Sequence, residues 1–205
     1  MKKGIFILII LGLVLPLAAQ EQTLLSGPLV HGGYGGPSIK VGSVYDSNAL
    51  FVGGMGGWII NHSFVLGGGG YGLVSEIRAP QAVQPAEGSD ASELYIDMGY
   101  GGVMIQYIAD SDKLIHYTLS ALIGAGGVAY SDRRSTDYET TTIQENDAFF
   151  VAEPGINVEL NVTTNFRLNA GVNYLYIAGV NNITGLTSKD LDGPSFQLTL
   201  KFGKF

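Results

Sequence analysis

The stretch INVELNVTTNFRLNA, Ile156–Ala170, alternates apolar and polar residues on both sides of a Thr-Thr-Asn interruption. Alternation of period two is the mark of a strand with unlike faces, and a polar break between two such runs marks a hairpin. Residues symmetric about a hairpin turn share a face. Centring the turn on Thr163 pairs Leu160 with Phe166, Val158 with Leu168 and Ile156 with Ala170. The other face then pairs Glu159 with Arg167 and Asn157 with Asn169. Ser195–Phe202 repeats the pattern, with Phe196, Leu198, Leu200 and Phe202 against Ser195, Gln197, Thr199 and Lys201.

The same reading extends outward to eight alternating segments. They are Leu29–Val44, Ala49–Ile60, Phe64–Ser75, Leu94–Ile108, Leu114–Tyr130, Phe149–Leu160, Phe166–Ala178 and Ser195–Phe202. A turn centred on His62 pairs Ile60 with Phe64 and Trp58 with Leu66. Asn61–Ser63, Ala109–Lys113 and Asn161–Asn165 are tight connections, whereas Glu76–Glu93, Ser131–Ala148 and Gly179–Pro194 are long and polar. Short and long connections therefore alternate, as expected of a barrel with periplasmic turns, longer outer loops and both ends on the periplasmic side. Tyr45–Asn48 departs from this order, being short where a long loop is due.

One segment changes phase. Leu94, Ile96, Met98 and Tyr100 are apolar at even positions, then Val103, Ile105 and Tyr107 at odd ones. An extra residue at Gly101-Gly102 would flip the alternation, which predicts a β-bulge there.

Alternation alone does not say which face meets solvent. The segments are long for a soluble sheet and suited to a tilted membrane strand. Thirty glycines include the runs Gly53–Gly57 (broken only by Met55) and Gly67–Gly70. Missing side chains relieve crowding inside a narrow eight-stranded barrel, whereas in a soluble core they would forfeit packing. Aromatics gather toward segment ends: Tyr45, Phe51, Trp58, Phe64, Tyr107, Tyr117, Tyr130, Phe149, Phe166 and Tyr176. They are expected to form girdles at the two lipid–water interfaces. The fold class expected is thus all-β, an eight-stranded antiparallel up-and-down transmembrane β-barrel.

The amino terminus fits that compartment. Lys2-Lys3, an apolar run from Gly4 to Leu15 and the small-residue site Pro16–Ala19 read as a secretory signal peptide over residues 1–19. Residues 20–205 then form one domain. The chain has no cysteine, which excludes disulfides, thiolate metal sites and a lipid-modified cysteine. A net charge of −7 argues against nucleic-acid binding, and 14% charged residues against a disordered chain.

With these features the sequence resembles the small eight-stranded outer-membrane barrels of the OmpA/OmpX type, over essentially the whole mature chain. The resemblance implies export to the bacterial outer membrane and contact with its lipid. It also implies recognition by the barrel-assembly machinery through a C-terminal aromatic, the position that Phe205 fills. Phe202 and Phe205 fall on different faces, a departure from the strict alternation of that ending.

If the polar faces point inward, Asp97, His116, Glu153, Glu159, Arg167 and Lys201 enter the lumen. Buried charge needs partners, so they are expected to form a structural network of salt bridges and hydrogen bonds rather than a catalytic site. His31, His62 and His116 lack metal-ligand spacing, and Gly67–Gly70 lacks the ending of a phosphate loop. No catalytic, cofactor-binding or metal site is expected. Binding residues concentrate on loops carried by rigid scaffolds, so Asp132–Arg134 and Glu139–Asp147, with Tyr138, are the candidate contact surface for a ligand. The expected role is non-enzymatic, structural or surface-interacting. The alternatives are small-solute transport through the barrel, or a soluble periplasmic barrel holding an apolar ligand.

Overall fold

The computed structural model describes residues 29–86, 93–132 and 145–205. The expected signal segment, and most of the Asp132–Arg134 and Glu139–Asp147 surface, lie outside them.

Among the described residues nine strands form one antiparallel sheet: β1 (His31–Val44), β2 (Ser47–Ile60), β3 (Phe64–Leu73), β4 (Ile77–Arg78), β5 (Tyr95–Ala109), β6 (Ile115–Ser131), β7 (Asn146–Thr163), β8 (Phe166–Ala178) and β9 (Gly193–Lys204). β1 pairs with both β2 and β9, and β3 pairs with β5, so eight strands close a barrel. β4 is a two-residue addition to the end of β5. A short helix, α1 (Ser188–Leu191), lies in the last long connection. The expected eight-stranded up-and-down barrel is the observed one.

Three tight turns share one end with the start of β1 and the end of β9, and the long connections share the other. The first connection is a two-residue hairpin at the loop end, Tyr45-Asp46. Both residues have positive φ (47° and 56°), the backbone that matches strand twist in a two-residue turn.

The β2–β3 register is the expected one, Ile60 opposite Phe64 and Trp58 opposite Leu66. The β7–β8 register is displaced by two residues. Leu160 faces Leu168, Glu159 faces Asn169 and Asn161 faces Arg167, with a register shift between Asn161 and Thr163. Asn165 is tied to β9 through its Nδ2 donating to Gly203 O (2.9 Å) and Gly203 N donating to Asn165 O (3.0 Å). This anchors Thr164-Asn165 as the turn. A slip of two leaves every side chain on its own face, so alternation could not detect it.

The bulge expected at Gly101-Gly102 is absent. Gly101 and Gly102 pair in unbroken register with Gly70 and Gly69 on one side and with Ala125 and Gly124 on the other. Even positions of β5 point inward throughout: Ile96, Met98, Tyr100, Met104, Gln106 and Ile108 are buried. Val103, Ile105 and Tyr107 are exposed. The phase changes because the lumen itself turns apolar toward the loop end, not because the strand twists over.

The outward face is the apolar one. Ile39, Val41, Leu66, Ile105, Leu119, Ile156, Val172 and Leu198 are all exposed. Near the turns Phe166 stacks on Phe202, and Phe64 lies against Tyr107. Trp58, Phe64, Tyr107, Tyr117 and Tyr176 face outward as expected. Phe51, Tyr130 and Phe149 do not: they are buried in the lumen, 3% exposed or less, where their parity puts them.

Candidate functional site

The polar side of the barrel wall gathers two buried charge clusters. In the first, near the turn end, Glu159 is fully buried. Its Oε1 accepts from Lys201 Nζ, from Thr118 Oγ1 (2.8 Å) and from Asn169 Nδ2 (3.1 Å). Its Oε2 lies 3.4 Å from His116 Nε2 and 3.8 Å from Arg167 Nη1. The same Nε2 lies 3.4 Å from Arg167 Nη1. His116 Nδ1 is 3.2 Å from Lys113 O. The Lys201 ammonium also lies 4.5 Å from the Tyr34 ring centroid.

The second cluster sits mid-barrel. Lys40 Nζ donates to both oxygens of Glu153 at 2.7 and 2.6 Å and to Tyr100 OH at 3.3 Å. It rests 3.4 Å above the Tyr71 ring. Each cation thus has a carboxylate partner and an aromatic face, the conditions under which charge survives burial. Between the clusters Gln106, Ser38, Thr199 and Gln197 continue the hydrogen bonding. Tyr34 OH donates to Gln106 Oε1 (2.7 Å), and Gln197 Nε2 donates to Thr199 Oγ1 (2.9 Å). A cavity of ≈10 Å³ beside Lys40 and Glu153 is at the lower limit for one water.

Of the six residues expected in the lumen, His116, Glu159, Arg167 and Lys201 meet in the first cluster and Glu153 lies in the second. Asp97 stands on the other face of β5, at the loop end, where it accepts from Ser131 Oγ. Odd positions of β5 point outward, and the expected bulge had reversed that assignment. Lys40, Tyr71 and Gln106 went unnamed in the sequence, and Tyr100 was read only as one of an apolar row. Lys40 between Ile39 and Val41, and Gln106 between Ile105 and Tyr107, follow from alternation; the two tyrosines, apolar in outline, do not.

Toward the loop end the lumen is an apolar core, and the connections fold down onto it. Ile77, Ala79, Leu94, Val180, Ile183, Leu186 and Leu191 are buried with Ile96, Tyr130, Val151 and Ile177. Tyr130 OH donates to Thr184 O (2.7 Å). The Gln84 amide donates to Ala79 O and Leu94 O at 2.9 Å each. Asp147 Oδ2 accepts from the backbone of Asn181 and Asn182 at 2.6 and 2.7 Å. The described residues of the long connections thus form a hydrogen-bonded cap. At the opposite end the barrel opens into a vestibule of ≈640 Å³ whose lining includes Arg167 and Phe205.

No protein-family profile and no curated protein matches the chain. Solved structures do. Neisserial surface protein A shares 16% identity, with a TM-score of 0.51, covering 87% of this chain and all of the other. The N-terminal β-barrel domain of OprF from Pseudomonas aeruginosa shares 12% over 83% of this chain and 96% of that domain, TM-score 0.49. Ail, the attachment invasion locus protein of Yersinia pestis, shares 11% over 84% of this chain and 97% of its own, TM-score 0.46. With its closed antiparallel wall, apolar exterior and charged, hydrogen-bonded interior, the chain has the fold of the eight-stranded outer-membrane β-barrels.

Proposed function

We propose that the protein resides in the bacterial outer membrane as a non-enzymatic barrel, its lumen a structural filling and its capped loop end the surface that meets partners. The observation carrying this reading is the inversion of faces. Large apolar side chains such as Ile105, Leu119, Ile156 and Phe196 are more than half exposed, while Lys40, Glu159 and Lys201 are at most 2% exposed. In water that arrangement is unfavourable on both counts; in a bilayer both are satisfied. A soluble barrel holding an apolar ligand would need the opposite polarity. Transport is disfavoured by the cap and by the two charge clusters, which fill the bore.

The single tryptophan gives a direct test. Trp58 is 46% exposed on the outward face, stacked on His31 near the turn end. After refolding into vesicles, lipids brominated on their acyl chains should quench its fluorescence, and cell fractionation should leave the protein with the detergent-extracted outer membrane. An unquenched Trp58, together with release of the protein in soluble periplasmic form, would refute the assignment.

A further inference from the structure

The vestibule at the turn end has a floor that the structural role does not explain. Its lining is drawn from all three tight turns and the chain end: His62, Ser111, Asp112, Asn161 with Thr163 and Thr164, then Arg167 and Phe205. At ≈640 Å³ it has the size of a small-molecule site. Behind it the Glu159 cluster and then the apolar core fill the bore.

Arg167 is held only by long contacts at that floor. Lys201 and Arg167 face the single carboxylate of Glu159. Lys201 takes one oxygen of it, leaving Arg167 at 3.8 Å from the other. The remaining contacts of the guanidinium are long, 3.4 Å to His116 Nε2 and 3.3 Å to Ser111 O. A guanidinium carries five donors in a fork suited to an oxyanion, and these contacts use little of that capacity. Its surroundings are nonetheless built. Asn161 Nδ2 donates to Ser111 O and Lys113 O at 3.1 and 2.7 Å, drawing the β5–β6 turn against β7. The Phe205 ring lies 4.1 Å from the guanidinium carbon. Of the other charged groups, Lys113 is paired with Asp110 at 2.7 Å, and Asp112 stands on the rim.

We infer that this vestibule binds an oxyanion-bearing solute, a carboxylate or a phosphate, with Arg167 as its charge partner and Phe205 beside it. The bound anion supplies acceptors for the guanidinium donors that these long contacts leave unused. That the solute arrives from the periplasm rests on the membrane reading above; the binding itself does not.

The test uses the folded protein in detergent micelles. The side-chain Nε–Hε resonance of Arg167 is followed by NMR while sodium acetate or sodium phosphate replaces sodium chloride at constant ionic strength. A saturable shift with either oxyanion is expected. Saturation by acetate alone assigns a carboxylate ligand, and by phosphate alone a phosphate-type ligand. Asp112→Asn, which removes a like charge at the rim, should tighten binding. Arg167→Lys, followed through the backbone amides of residues 161–167, should weaken it about tenfold or more by losing the fork. A linear response, or one equal to that of chloride, would overturn the inference, as would affinity unchanged in both variants. Such failure would leave the Trp58 quenching result untouched, so the two readings fall separately.

Discussion

At Glu159 three donors converge on one carboxylate oxygen while His116 and Arg167 stand near the other. Removing one member of a buried charge group leaves the others uncompensated, which is costlier than the group was worth. Glu159→Gln should therefore lower stability by about 3–5 kcal/mol, read as the urea midpoint of protein refolded into vesicles. Exchanging Glu159 and Arg167 tests the register. Were they an isolated pair, the exchange would be tolerated. Because Lys201 and Asn169 share the carboxylate, an arginine at 159 would face an ammonium, and the double variant should fold no better than Glu159→Gln. At mid-barrel, replacing Lys40 and Glu153 together by Met and Leu should cost less than Glu153→Leu alone. A double-mutant cycle on the same assay measures the difference.

Among the elements, β5 shows how far a strand can be read from its residues. Its direction, length and outward residues Val103, Ile105 and Tyr107 are legible, because alternation has period two. The change of apolar face near Gly101 is also legible, but its meaning is not. A bulge and a lumen that turns from polar to apolar give one and the same string of residues, and only the neighbours distinguish them. Glycines of the wall divide in the same way. A Cβ at Gly102 would run into the backbone carbonyl of Ile123, while one at Gly35 would meet nothing within 4 Å. Gly102→Ala should abolish or severely slow folding, and Gly35→Ala should be neutral or mildly stabilising, by heat-dependent gel mobility and urea midpoint. In the first hairpin, Asp46 adopts positive φ with its side chain exposed. Asp46→Gly should raise stability by about 0.5–1 kcal/mol, through relief of left-handed backbone strain.

On the scale of the whole molecule, the described residues leave a vestibule at the turn end of the barrel and fill its loop end. Ile183, Leu186 and Leu191 of the last connection complete a core begun by Ile96, Val151 and Ile177 of the wall. A bore so filled should give no stepwise conductance in planar bilayers. The cap should hold its shape: Asp147→Ala, which removes the acceptor of the Asn181 and Asn182 amides, should speed hydrogen exchange there without moving the urea midpoint of the barrel.

Alternation, loop lengths and the glycine content were enough to determine, from the sequence, an eight-stranded antiparallel barrel with apolar and polar faces. They also place Glu153, Glu159, Arg167 and Lys201 on the polar face, because a side chain's face depends only on its position along its own strand. What the tertiary structure decided are the relations between strands. These are the two-residue displacement of β7 against β8, the sharing of Glu159 by Lys201, and the pairing of Lys40 with Glu153 across the bore. The apolar filling beneath the cap belongs with them. Each depends on which residues distant in sequence arrive at one height in the barrel. Closure of the sheet sets that height, and a period of two is blind to it.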